Sequence, residues 1–208
     1  MKAKLGTVLM ILGILLVVGS LTLMAYNAQE DMEAGESVQV LMPQIVEAIN
    51  TRQEELQEAP PTVPVPMPPT EAEDREMTVL DIDGHGYIGF VGIPKLNLEL
   101  PVMADWSYPR LKIAPCRFTG SLYSDDLVIM AHNYARHFGG ISGLTPGDTV
   151  TFTDMEAVTT TYVVVALDVL QPVAVEEMSA GEYDLTLFTC TYGGKSRVTV
   201  RCDRAEEE

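Results

Sequence analysis

From Leu5 to Tyr26 the chain reads LGTVLMILGILLVVGSLTLMAY, without a charged residue, and the pattern then becomes mixed. At about 1.5 Å per residue such a run covers the roughly 30 Å hydrocarbon core of a bilayer as a helix. The run is longer than the apolar stretch of a cleaved signal peptide, so the reading is a retained anchor over residues 5–26, with residues 1–4 on the near side. Lys2 and Lys4 precede it and Glu30, Asp31, Glu33 and Glu36 follow, which predicts a cytoplasmic N-terminus and an exported remainder.

Next comes PQIVEAINTRQEELQEA, residues 43–59, with Pro43 acceptable in a first helical turn and Ile45, Ile49 and Leu56 near one side at helical spacing. The expectation is a short helix acting as a solvated spacer, since isolated short helices are marginal in water. The proline-rich APPTVPVPMPPTEAEDRE that follows predicts an extended, semi-rigid tether. Residues 27–78 together read as an acidic stalk.

From about residue 79 to 208 the texture is short β-branched and aromatic runs separated by Gly, Pro and Asp: YIGFVGIP, LELPVM, LVIMAH, TVTFTD, TTYVVVALDVL, DLTLFTC and RVTVRC. Strands of this length and spacing predict a mainly β domain, a barrel or a sandwich. No repeat is evident, and the polar ending RAEEE predicts neither a second span nor a C-terminal anchor. Formal net charge is −17, with two basic and twelve acidic residues in 27–78 and nine and eighteen in 79–208. Such surfaces repel phosphate backbones, so nucleic acid is excluded as an expected partner.

Candidate chemistry concentrates at strand ends. In DLTLFTC, alternation sets Leu185 and Leu187 on one face and Thr186, Phe188 and Cys190 on the other. In RVTVRC it sets Val198, Val200 and Cys202 on one face and Arg197, Thr199 and Arg201 opposite. The Gly-Gly pair in the intervening TYGGKS suits a hairpin-type turn, which brings Cys190 beside Arg197. His132 follows the buried run Leu127 to Ala131, where the chain turns polar. A cysteine nucleophile, an imidazole acid and a guanidinium donor are the residue types that cysteine acyl transfer requires. An ordinary thiol (about 8.5) and imidazole (about 6.5) leave only roughly 1% of molecules pairing thiolate with imidazolium at neutral pH, which predicts slow turnover.

LTLFTC is similar to the TLxTC signature of sortases, the cysteine transpeptidases of Gram-positive cell surfaces, and VIMAHN resembles their catalytic-histidine strand, with Ala131 where Gly is common. IGFVGIPKLNLELPV, LKIAPCRFTGS and HFGGISGLTPGDTVTFTD resemble successive further segments, so the likeness spans roughly residues 86–204. It implies a closed antiparallel or mixed β-barrel with short helices and an N-terminal transmembrane helix. It also implies a cell-membrane enzyme with its catalytic domain outside. Cys190 would attack the Thr-Gly carbonyl of an LPXTG-like sorting signal on a secreted protein, Arg197 would stabilise substrate and oxyanion, and His132 would protonate the leaving amine. The thioacyl-enzyme would pass to an amine, on a cell-wall precursor for anchoring or on a pilin lysine for polymerisation; lacking a C-terminal span, the chain reads as an anchoring type. Thr189 is implied as a substrate contact.

Arg201 competes with Arg197 but lies about 13 Å further along an extended strand, and is expected to be a solvated or salt-bridged face residue. His137 competes with His132 and is expected in an exposed loop. The segment 171–183 is where sortases build much of the sorting-signal pocket. Calcium binds near it in some of them, and Glu176, Glu177 and Glu182 are the carboxylates available, but acidic loop residues are ordinarily solvated and no cofactor is expected. Cys116 and Cys202 are read as free thiols rather than a disulfide. A zinc site from His132, His137 and a cysteine lacks the close Cys/His pairs of structural zinc. Two other functions compete: an inactive, membrane-tethered binding or scaffolding module on the same barrel, and a hydrolytic cysteine peptidase.

Overall fold

A computed structural model describes residues 2–58, 75–179 and 182–206, with side chains from residue 6 onward. The N-terminal part is one helix, α1 (Lys2–Glu58), which continues through the stretch expected to be a span and a separate short helix. Between residues 8 and 26 its large apolar side chains are all exposed, from Val8 to Tyr26. Beyond residue 30 its character changes. Ala34, Leu41, Ile45 and Ile49 are buried, with Val38 and Ala48 packed beside them, a three-and-four spacing that makes one narrow stripe.

The solvated spacer is therefore corrected to a docked helix segment. Ile45 is 0% exposed and belongs to a cluster with Tyr87, Met103, Leu111 and Cys116 of the β domain, whereas Leu56 stays outside at 48% exposed. Pro43 lies inside the helix on its exposed side, where its missing N–H would by itself destabilise a free helix by about 3 kcal/mol. Docking of Leu41 and Ile45 on either side offsets that cost. Ile45→Ala is expected to lower stability by about 2–4 kcal/mol in urea unfolding of the whole chain, and Leu56→Ala to change it by less than about 0.5 kcal/mol. The expected proline tether falls mostly on residues outside the described ones.

The β domain has strands β1 (Leu80–Ile82), β2 (His85–Ile93), β3 (Leu98–Met103), β4 (Cys116–Thr119), β5 (Leu127–Ala131), β6 (Thr149–Asp154), β7 (Thr159–Leu170), β8 (Leu185–Cys190) and β9 (Arg197–Arg204). Short helices α2 (Tyr108–Leu111) and α3 (Val175–Met178) sit in the connections before β4 and β8. The hydrogen-bonded order is β1-β2-β3-β4-β5-β8-β9-β7-β6, and β6 returns to β2. Eight strands, β2 to β9, thus close a barrel, with β1 hairpinned onto its rim. Two neighbouring pairs are parallel, β3–β4 and β5–β8, so the barrel is mixed.

Closure depends on Gly89, where β2 shifts register against β3 and begins pairing with β6 opposite Asp154. Its φ of +141° suits glycine, and a Cβ there would collide with the Thr153 carbonyl. The interior is the inward set of alternating residues: Leu127 and Ile129 of β5, Leu185 and Leu187 of β8, Val200 and Cys202 of β9. Cys116 and Cys202 are buried free thiols, and burial pushes both up to about 12, so neither is a nucleophile at physiological pH.

Candidate active site

Register across three strands builds the site. β8 pairs with β9 so that Cys190 lies directly opposite Arg197, and β5 pairs with β8 so that Ala131 lies beside Thr189. One residue further on, His132 leaves β5 beside Cys190. Since Leu185, Leu187, Leu127, Ile129 and Val200 point inward, alternation turns Cys190 and Arg197 outward, with His132 continuing the outward set of β5. Histidine, cysteine and arginine form one row on adjacent strands about 4.8 Å apart, at one end of the barrel.

The turn at 191–196 makes that row possible. Thr191 receives the Ser196 amide on its hydroxyl at 3.1 Å and donates its own amide to the Ser196 carbonyl at 2.9 Å. Gly193 and Gly194 take φ of +76° and +70°, the left-handed geometry that closes this short link. Nη1 of Arg197 donates to the Gly194 and Ser196 carbonyls, both at 3.2 Å, which fixes the guanidinium against the turn and leaves its other N–H groups as donors for a further acceptor.

Cys190 is half-buried and borders a hollow of about 210 Å³ with Asn133, Gly139, Ser142, Thr189 and Tyr192. Thr189 is 4% exposed, and its hydroxyl donates to the Ala131 carbonyl at 2.8 Å. It lines the hollow but spends its donor on tying β8 to β5, directly beneath the nucleophile and the histidine. Two residues back on the outward face of β8, Phe188 meets Phe118 edge-on at 5.3 Å, and Phe118 meets Trp106 at 6.0 Å. Phe188 is 3% exposed, so these rings pack a small cluster behind Cys190, and Trp106, at 42% exposed, is the ring of the three most open to solvent.

His132 is half-buried, and burial lowers its pKa from the ordinary value, with the Glu30 carboxylate acting in the opposite direction and the Lys112 ammonium reinforcing the fall. Its loop is wound tightly, since the amides of His137 and Gly139 both donate to the Tyr134 carbonyl and that of Phe138 to the His132 carbonyl. The exposed His137 of the sequence reading is corrected: it is 0% exposed, and burial pulls it down to about 4, so it is neutral at pH 7.

Arg201 is corrected in part. Its ion pair with Asp168 matches the salt-bridged alternative, but it is not on an open face: it is 4% exposed and lies opposite Thr186 under the connection between β7 and β8. Its Nη2 donates to the Glu177 carbonyl at 2.5 Å and its Nη1 to the Met178 carbonyl and the Thr186 hydroxyl at 3.1 Å. Nε reaches Asp168 at 3.4 Å. The guanidinium is thus the peg on which α3 hangs. Glu176 and Glu177 are exposed on that helix, and among the described residues no group of three or more His, Cys, Asp or Glu side chains is placed to hold a metal ion.

Sequence reasoning missed Glu30, Lys112 and Tyr134 around His132. Tyr134 was within reach, two residues beyond the histidine, but residue 30 stands 104 positions from Tyr134 and no local pattern links the two.

The structure is thus a closed mixed barrel with cysteine, histidine and arginine at adjacent strand ends of β8, β5 and β9, the residue types that cysteine acyl transfer uses. The sequence matches the Sortase domain family over residues 91–205, and the chain belongs to the sortase family. Among solved structures, sortase C1 from Streptococcus suis is 30% identical with a TM-score of 0.50, covering 59% of this chain and 74% of that one. Sortase C from Clostridium perfringens SM101 is 22% identical with a TM-score of 0.50 over 89% and 99% of the two chains. Sortase A from Corynebacterium diphtheriae is 17% identical with a TM-score of 0.54 over 91% and 97%. The last two show likeness of fold alone. No curated protein sequence matches the chain significantly. Sortases are cysteine transpeptidases associated with membranes.

Proposed function

We propose that this chain is an active sortase that cleaves an LPXTG-like sorting signal and transfers the acyl part to an amine. The observation that carries the reading is the register that sets Cys190 between His132 and Arg197. The Cys190 thiolate attacks the threonine carbonyl carbon, and Arg197 donates hydrogen bonds to the developing oxyanion. The tetrahedral intermediate collapses with cleavage of the Thr–Gly bond, and His132 gives its proton to the departing glycine amine. A thioester on Cys190 results. An incoming amine attacks it, His132 takes a proton from that amine, and collapse to the new amide expels the Cys190 thiolate, restoring the starting thiolate and imidazolium. Thr189 contributes wall, not a donor, to the hollow beside Cys190. Substrates are secreted proteins bearing the signal, and the amine is that of a cell-wall precursor, which makes the reaction one of anchoring. No cofactor takes part in these steps.

The exposed apolar face of α1 between residues 8 and 26 supports a membrane span there, with Lys2 and Lys4 cytoplasmic and the barrel outside. In detergent, the full chain with a sorting-signal peptide is expected to yield a thioacyl adduct by mass spectrometry, and added triglycine a peptide conjugate. Cleavage that gives only free acid in the presence of the amine would mean a hydrolase, and an unmodified Cys190 an inactive binding module.

A further inference from the structure

The anchor helix reaches the catalytic histidine. One turn beyond Tyr26, Glu30 accepts hydrogen bonds from Lys112 Nζ at 2.6 Å and from the Tyr134 hydroxyl at 3.1 Å. The Tyr134 ring packs tilted on His132, with centroids 4.9 Å apart, and on its other side against buried His137 at 5.5 Å. The next residue of the helix, Asp31, accepts the Arg136 amide at 3.1 Å and lies 3.7 Å from its guanidinium. Gly35, a turn further along, makes the room: a Cβ there would run into the Arg136 side chain. Two consecutive residues, Glu30 and Asp31, therefore fasten α1 to the loop that carries His132, with Gly35 giving Arg136 its room, and none of the three belongs to the stripe at Leu41, Ile45 and Ile49 that docks the helix on the barrel.

We propose that Glu30 is a positioning residue for His132, acting through Tyr134 and Lys112, so that the helix leaving the membrane completes the histidine's surroundings. The proposal deepens the sortase reading and rests on it for the identity of His132 as the acid. The groups set against His132 are the Tyr134 ring, the charges of Glu30 from α1 and Lys112 from the segment after α2, and His137 of its own loop, while Tyr26 of α1 also donates to Glu30 at 2.6 Å. Arg136 occupies Asp31, which leaves Glu30 as the acidic partner of the histidine's side of the loop and Lys112 as its counterweight. The Lys112 hydrogen bond holds Glu30 down at about 2, so the carboxylate is ionised across the working pH range. Taking away the carboxylate removes a negative charge and uncovers a positive one, and both changes disfavour imidazolium. Taking away the ammonium does the reverse. A grip that is only mechanical has no such opposition of sign.

The test is an NMR titration of histidine-labelled full chain in detergent micelles, practical because the protein has three histidines. Glu30→Gln is expected to lower the His132 midpoint by at least about half a unit, and Lys112→Met to raise it. Tyr134→Phe, which keeps the ring and loses the hydroxyl, is expected to fall on the Glu30→Gln side. With the sorting-signal peptide, Glu30→Gln is expected to lower kcat several-fold with KM little changed. Glu30→Gln and Lys112→Met moving the midpoint the same way, or leaving it in place, would overturn the proposal. Opposed shifts in a protein that cleaves no sorting-signal peptide would uphold the clamp and sink the sortase chemistry, so the two failures are told apart.

Discussion

Cys190→Ala is expected to abolish the thioacyl adduct and to reduce cleavage of a sorting-signal peptide by at least about three orders of magnitude, with the melting temperature unchanged. The side chain is half-buried at the end of β8 and borders a hollow rather than belonging to a buried core cluster, so removing its sulfur costs the barrel little. Every bond-making step of the proposed mechanism, by contrast, passes through that atom. Cys202→Ala is the matching control: its thiol lies at 0% exposure in the barrel interior, so the variant is expected to keep activity while losing some stability. Peptide turnover and thermal unfolding, measured on the same preparations, check both. A Cys190→Ala protein that still cleaves at the parent rate would end the reading.

The two arginines of β9 should separate in the opposite sense. Arg197→Ala is expected to lower kcat/KM by about 10²–10³, the usual loss on deleting an oxyanion donor, with stability within about 0.5 kcal/mol of the parent. Arg201→Ala is expected to cost about 3 kcal/mol, because it leaves the buried Met178 carbonyl and Thr186 hydroxyl without their donor. Asp168 adds little to that figure, since its side chain is 44% exposed and solvent screens the pair. Arg201→Lys should not restore stability, because one ammonium cannot reproduce a planar fork that serves several acceptors at once. Urea unfolding and peptide kinetics on the two alanine variants decide it: an Arg197→Ala protein that is active, or an Arg201→Ala protein of full stability, would contradict the assignment.

Much of the barrel was legible because its strands carry their inside and outside in the alternation of Leu185, Leu187, Val200 and Cys202. The strands missed were β1, three residues long on the rim, and β4, four residues long with only Cys116 buried. Runs that short carry too few positions to show a period. The relation of Cys190 to Arg197 was legible because a six-residue turn joins their strands. The helix was misjudged beyond residue 27 for a different reason: Ala34, Leu41, Ile45 and Ile49 form a sparse stripe among carboxylates, and what decides whether such a stripe docks is the surface waiting for it on β2 and β3. His137 was placed at the surface because it falls in the loop ARHFGG, and Arg201 because alternation sets it on the face opposite Val198, Val200 and Cys202. Each is enclosed by chain far away in sequence, His137 by the segment at Ile113 and Arg201 by α3.

β5 and β8 run parallel, with Ala131 beside Thr189, 58 positions further along the chain. A parallel pair cannot form from a tight turn, so the row is assembled only when the chain that holds β6 and β7 has closed a long loop between β5 and β8. A chain in which that pairing is open carries the same three side chains but holds them apart, and any activity the row supports is tied to the closed barrel rather than to its local sequence.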